Sequence, residues 1–267
     1  MSWFTKTFSS TIGQKILVAL TGLFLCIFLV IHLIGNFQLL KTDAGYAFNA
    51  YTKFMTSNPL IKIASYLTYL AILFHAFKGI HLAIKNRAAR PVAYKSAAKS
   101  RVSGFSRSMA LLGTIILIFI IIHMQQFWYE YKFGEMPKQE YMHMMLGDEE
   151  EVFTKNQFDS LIQTEYFTEY VDLETGKPKV TIQQEQSTYK DLYSVVNTIF
   201  KEPLYVLFYV LSMLAIAFHL FHGFKSAFQT MGWNHNKSND FIKGFGYAFA
   251  IIIPALFALI PLYIYFN

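Results

Sequence analysis

The chain has 267 residues, of which 54% are hydrophobic, 18% aromatic and only 15% charged. Soluble chains run near a quarter charged, so this composition excludes an ordinary soluble domain; 27 Phe, 17 Tyr and a mean hydropathy of +0.33 exclude disorder and point to a bilayer. A single Cys excludes an internal disulfide framework, a four-cysteine zinc site and a cysteine-ligated iron–sulfur cluster, and the net charge of +6 combines 23 Lys and Arg with 17 Asp and Glu that are segregated along the chain.

About 20 apolar residues cross the hydrocarbon core as a helix, where irregular backbone would leave polar groups unpaired. Residues 16–40 carry no charge, and predict a first helix over about 13–37. That run is too long for a cleaved signal peptide, and no small-x-small site follows it. The run 63–77, continued past Lys78 to Ile84, predicts a second helix over about 60–85. Uncharged runs at 108–129, 203–224 and 244–267 predict the third, fourth and fifth helices, over about 107–129, 203–230 and 242–265. Pro254 and Pro261 are expected to kink the fifth. The fold class is therefore an all-α membrane protein: spans one to three within 1–130, an acidic insertion at 131–201, and spans four and five within 202–267.

The stretch 129–202 holds 15 of the 17 acids and 7 basic residues. Phe153, Phe158, Leu161 and Ile162 suggest an amphipathic helical face, and Val180 with Ile182 a short strand. A small subdomain or cap is expected, with a disordered acidic loop as the alternative.

Lys and Arg concentrate in cytoplasmic loops. Residues 1–15, 85–107 and 225–243 share one side and carry 12 basic residues against one acid, Asp240. This places the N-terminus in the cytoplasm and the C-terminus outside, in a cytoplasmic (inner) membrane. The run of Lys85, Arg87, Arg90, Lys95, Lys99, Arg101 and Arg107 contains no acid. It suits a partner protein or anionic lipid; nucleic acid fits poorly, since the charge lies against a membrane.

Six of the eight histidines lie in or beside the first four spans, whereas His143 and His235 fall in loops. A polar ring in hydrocarbon is costly and is a functional candidate by default. At about 1.5 Å rise per residue, His32 and His123 reach similar depth on the first and third helices, and His75 and His219 match on the second and fourth. The two levels differ by roughly seven to ten residues, or about 10–15 Å. Two pairs at two depths suit two bis-histidine haems, each taking one axial ligand from either side, whereas zinc or copper needs three or four ligands at one level. Gly79 and Gly223 each follow a histidine by one turn, removing a side chain where a flat ring would lie. His81 competes with His75, and His222 with His219. The non-ligating ring nitrogen needs an acceptor, for which Ser, Thr and backbone carbonyls are available. Lys78 and Lys225 are candidates for haem propionates, or snorkelling cations. Asn36, Gln38, Gln125, Gln126 and Trp128 are candidates for a quinone pocket, or else interface anchors and loop caps; Asp43 and Glu130 are remote candidates for the quinol proton.

Ser10-Thr11-Ile12-Gly13-Gln14-Lys15, Thr21-Gly22 and His32-Leu33-Ile34-Gly35-Asn36 resemble the first helix of the cytochrome b subunit of succinate:quinone oxidoreductases, the succinate dehydrogenases and fumarate reductases. Phe74-His75-Ala76-Phe77-Lys78-Gly79 is similar to that family's second helix, His123 falls where its third carries a ligand, and Phe218-His219-Leu220-Phe221-His222-Gly223 resembles its fourth. The resemblance is to the five-helix, two-haem type and covers about 1–130 and 200–267. It implies haem b between His75 and His219 (proximal) and between His32 and His123 (distal). It also implies flavoprotein and iron–sulfur partner subunits, no succinate site on this chain, and electron transfer to membrane quinone, expected to be menaquinone.

Two departures stand out. The insertion is far longer than the family's loop. No Asp or Glu lies in the five expected spans, so the buried carboxylate that some members carry beside the fourth-helix ligand is replaced by Ala217 and Phe218. The alternatives are the cytochrome b anchor of a hydrogenase or formate dehydrogenase, and a transporter relaying protons through histidines.

Overall fold

The computed structural model describes residues 10–89, 104–146, 149–162, 185–233 and 239–267. Helix α1 is Thr11–Asn36, followed by a 3-10 turn at Phe37–Leu40; α2 is Tyr46–Ser57 and α3 is Pro59–Ala88. Helix α4 is Gly104–His123, continued by a π-helical turn at Met124–Tyr129 and by the short α5, Glu130–Phe133. Strands β1 (Lys138–Leu146) and β2 (Glu149–Thr154), helix α6 (Lys155–Ile162), β3 (Glu185–Lys190) and α7 (Leu192–Phe200) follow. The chain closes with α8 (Pro203–Thr230) and α9 (Asn239–Phe266).

Five helical stretches are long and apolar enough to cross a membrane: Thr11–Leu40, Pro59–Ala88, Ser108–Phe133, Pro203–Thr230 and Asn239–Phe266. The chain is a multi-pass, predominantly helical membrane protein. Its surface supports this independently. Ile27, Ile31 and Ile34 are exposed on α1, Leu67, Leu70, Leu73 and Phe77 on α3, and Leu204, Leu207, Leu211, Leu214 and Phe218 on α8. These are stripes at helical spacing, turned outward, the reverse of a soluble helix. Small and polar residues turn inward instead, among them Ala19, Thr68, Ala71, Ser212 and Ala215, which let backbones approach. Helix α9 runs unbroken through Pro254 and Pro261, both buried. Asp240 falls in its first turn, where the helix dipole favours an acid, and pairs with Lys243 at 3.3 Å.

The chain divides into two compact units. The first holds residues 1–34, 59–124 and 200–267, hence most of the spans. Within it, α8 packs most extensively on α9 and then on α4.

The second unit holds residues 35–58 and 125–199, so the insertion folds with the stretch that contains α2. It contains an antiparallel sheet in the order β2-β1-β3, where the sequence suggested a single short strand beside a helical face. Phe153 lies in β2 and pairs with Met142, so it belongs to a strand and not to an amphipathic helical face; Phe158 does lie on α6 and is buried. Val180 and Ile182 lie outside the described residues. His143 is no loop residue: it is buried on β1, with its Nε2 3.1 Å from Ser187 Oγ.

The sheet is tied to α2 by Asn49, which is 1% exposed. Its Nδ2 donates to Tyr141 Oη and to Asp191 Oδ1, each at 2.9 Å, and its Oδ1 accepts the Tyr193 N–H at 3.0 Å. Tyr46 packs edge-on against Tyr141, His143 and Tyr189. Burial pushes the Tyr141 phenol up to about 12. Asp43 closes the turn before α2, its two carboxylate oxygens accepting the N–H groups of Gly45 and Ala47.

Candidate functional site: two histidine pairs

The structure brings the four span histidines together two by two, all within the first unit. The rings of His32 (α1) and His123 (α4) stand with centroids 5.8 Å apart and planes 87° to each other. Those of His75 (α3) and His219 (α8) stand 6.3 Å apart. Of the competitors, His81 is exposed, and His222 is half-buried one turn from His219.

The two pairs occupy distinct levels. His75 packs against α1 at Val18, Thr21 and Gly22, and His219 packs near Gly113 on α4. His32 lies ten positions beyond Gly22, and His123 ten beyond Gly113. On α8 the order reverses, because Tyr209, which touches His123, precedes His219 by ten. Three helices thus give one separation, about 15 Å. They also show that α1 and α4 run parallel and α8 opposite.

The pairs are held differently. At the second level, His75 Nδ1 lies 3.1 Å from Val18 O and 3.2 Å from Thr21 Oγ1. The Thr21 hydroxyl donates to Leu17 O at 2.8 Å, so its oxygen is free to accept. A carbonyl can only accept, so Nδ1 carries the proton and Nε2 keeps its lone pair. A Cβ on Gly22 would stand 3.1 Å from His75 Cε1, so a side chain there would crowd this ring by a few tenths of an ångström. His219 Nδ1 is buried with no hydrogen-bond partner among the described residues, an arrangement that costs free energy in a closed core.

At the first level, His32 is stacked on Phe28 and flanked by Phe257. His123 Nδ1 lies 3.3 Å from Tyr209 Oη, and Phe119 lies against both rings. Tyr209 escaped the sequence reading, because a Tyr in an aromatic-rich span carries no distinguishing pattern.

Glycine packing discriminates further. A Cβ at Gly79 would meet nothing within 4 Å, and one at Gly223 nothing closer than 3.8 Å. The neighbouring protein atoms therefore do not require glycine at either position, although each costs the helix about 1 kcal/mol relative to Ala.

The remaining candidates are spread out. Lys78 Nζ lies over Phe74 and Phe77 of its own helix, at 5.7 and 5.8 Å from the ring centroids, and Lys225 is exposed. Asn36 ends α1 and Gln38 lies in the 3-10 turn, both half-buried. Gln125, Gln126 and Trp128 lie in the π-helical turn; Gln126 is buried and its neighbour Gln125 exposed, so they face opposite ways. All five belong to the second unit. Such turns recur at functional sites, and no sequence signal announced this one. Among the described residues no three His, Cys, Asp or Glu side chains converge, so the donor set is one of pairs.

Comparison with known proteins adds no relative: no family model matches the chain, and neither a curated protein nor a solved structure matches it.

Proposed function

We propose that the chain is the di-haem cytochrome b anchor of a succinate:quinone oxidoreductase, carrying electrons between an iron–sulfur partner subunit and membrane quinone. The observation that carries the reading is the spacing of the two histidine pairs, 5.8 and 6.3 Å between ring centres. Two axial bonds of about 2 Å, with each imidazole centre about 1 Å beyond its nitrogen, put ring centres about 6 Å apart across one metal. The donor set fits haem in kind as well. It supplies two imidazoles per level and two glycines that the described packing does not explain.

Bound haem iron would accept and release one electron at a time. The residues do the rest. His75 is locked by Val18 and Thr21 with Nε2 free for a metal, and His219 faces it from α8. His32 and His123 offer the same pair at the other level, on helices apolar enough to lie in a bilayer. Lys78 and Lys225 are the proposed cations for propionates. Asn36, Gln38, Gln125, Gln126 and Trp128 are the proposed polar contacts for quinone. The segregation of basic residues supports a cytoplasmic N-terminus in an inner membrane, with the 85–107 stretch facing the partner subunits.

Purification of the tagged chain from its native membrane tests the function as a whole. The reading predicts co-purifying flavoprotein and iron–sulfur subunits, and succinate-dependent reduction of a quinone analogue. A haem-bearing chain that brings down a hydrogenase or formate dehydrogenase would move the assignment to another respiratory anchor. A colourless chain with no redox partner would overturn it.

A further inference from the structure

We propose that Tyr209 is a positioning residue for His123, its phenol oxygen accepting the Nδ1–H and leaving Nε2 as the metal-binding nitrogen. The inference rests on the haem reading above and deepens it, by assigning the residue that sets the properties of one level alone.

Tyr209 is 6% exposed, and its Oη lies 3.3 Å from His123 Nδ1. A buried phenol in an apolar span must find a partner, and an imidazole nitrogen is one. The surroundings show what the hydroxyl is for. Phe119, Phe200 and Phe208 hold the ring edge-on, at centroid distances of 5.2, 4.9 and 5.8 Å. Phenylalanine would meet the same three rings, so the hydroxyl is all that tyrosine adds. Phe119 also lies against the His123 ring, 5.6 Å away at 30°, so phenol and imidazole are braced by one side chain.

A neutral imidazole has one N–H and one lone pair. A phenol can give or take a hydrogen bond, so in the haem-free chain it permits either tautomer. Metal at Nε2 requires the proton on Nδ1, and Tyr209 Oη is then its acceptor. Acceptance of that N–H raises the basicity of Nε2 and favours oxidised iron. At the other level the same service comes from a backbone carbonyl, Val18 O, which no side-chain substitution removes. Only the first level is therefore open to tuning by a substitution at position 209.

The test is a potentiometric titration of the haem absorbance in the wild-type chain and in Tyr209→Phe. The expected result is two components in both proteins, with one shifted to higher potential in the variant and the other unmoved. Thr21→Val, which acts on His75, should shift the other component instead. Identical titrations of wild type and Tyr209→Phe would overturn the assignment of Tyr209. A wild-type chain without haem would overturn the haem reading and leave the hydrogen bond to be judged by nitrogen-15 shifts of His123. There, a change of tautomer ratio in Tyr209→Phe supports the contact, and unchanged shifts overturn it. Should Tyr209→Phe fail to insert, Tyr209→Leu removes the phenol without adding a hydrogen-bonding group and is read in the same way.

Discussion

His75 Nδ1 stands 3.1 Å from the backbone oxygen of Val18, on a neighbouring helix, and that contact fixes which nitrogen of the ring is available. A Cβ at Gly22 would stand 3.1 Å from the ring, so glycine there eases its approach to the α1 backbone. Helix packing and ligand geometry meet at this point: Gly22 leaves room for the ring, and Val18 O directs its Nε2.

Thr21 and Gly22 are accordingly where a small change should be felt at one level only. Thr21→Val removes one acceptor of the His75 N–H and should weaken metal binding there by about tenfold. Gly22→Val pushes the ring off its acceptors and should abolish that level's haem while sparing the other. Haem content per chain, measured with the absorbance spectrum, checks both.

Gly79 and Gly223 give the opposite expectation for the haem-free protein. Alanine at either site fits the described packing and should stabilise the helix by about 1 kcal/mol. If the proposal holds, loaded protein should lose haem from the His75 and His219 level, since a methyl would then occupy the face on which a macrocycle would lie. Thermal unfolding of the haem-free chain beside haem retention of the loaded chain separates the effects. A variant that gains stability and keeps its haem would remove glycine from the argument.

Asn49 is the matching test for the second unit. Asn49→Ala strips a partner from Tyr141, from Asp191 and from the Tyr193 amide. A buried group deprived of its partner costs about 1–3 kcal/mol, so the sheet should lose about 3 kcal/mol in all. Near-ultraviolet circular dichroism of the tyrosines during unfolding reads it directly.

The same unit should weaken in alkali. Tyr141 holds its proton to about 12, whereas an unfolded tyrosine releases it near 10. Above pH 10 the unfolded chain therefore binds fewer protons, and stability falls until the folded phenol also ionises. Unfolding midpoints measured between pH 8 and 12 should decline above about pH 10, and Tyr141→Phe should flatten the decline.

The five spans were legible because the bilayer imposes length and apolarity together, and the histidine levels because helical rise is constant. The rest depends on contacts distant in sequence. Strand β3 pairs with β1 across more than forty residues, so its Gln186, Thr188 and Tyr189 give no local hint of a sheet, and His143 reads as a loop residue until that pairing buries it. The π-helical turn at Met124–Tyr129 is a register of backbone hydrogen bonds, which side-chain pattern does not encode. Tyr209 matters for one oxygen within reach of a histidine on another helix, and the spacing of residues along α8 alone is silent on that.

The most direct test of the central claim is the reduced-minus-oxidised spectrum of the purified chain, with haem stoichiometry, in wild type and in His32→Ala, His75→Ala, His123→Ala and His219→Ala. Two b-type haems per wild-type chain are expected. His75→Ala and His219→Ala should lose the same component, and His32→Ala and His123→Ala the other. No b-type signal in the wild type, or both haems retained in all four variants, would contradict the account.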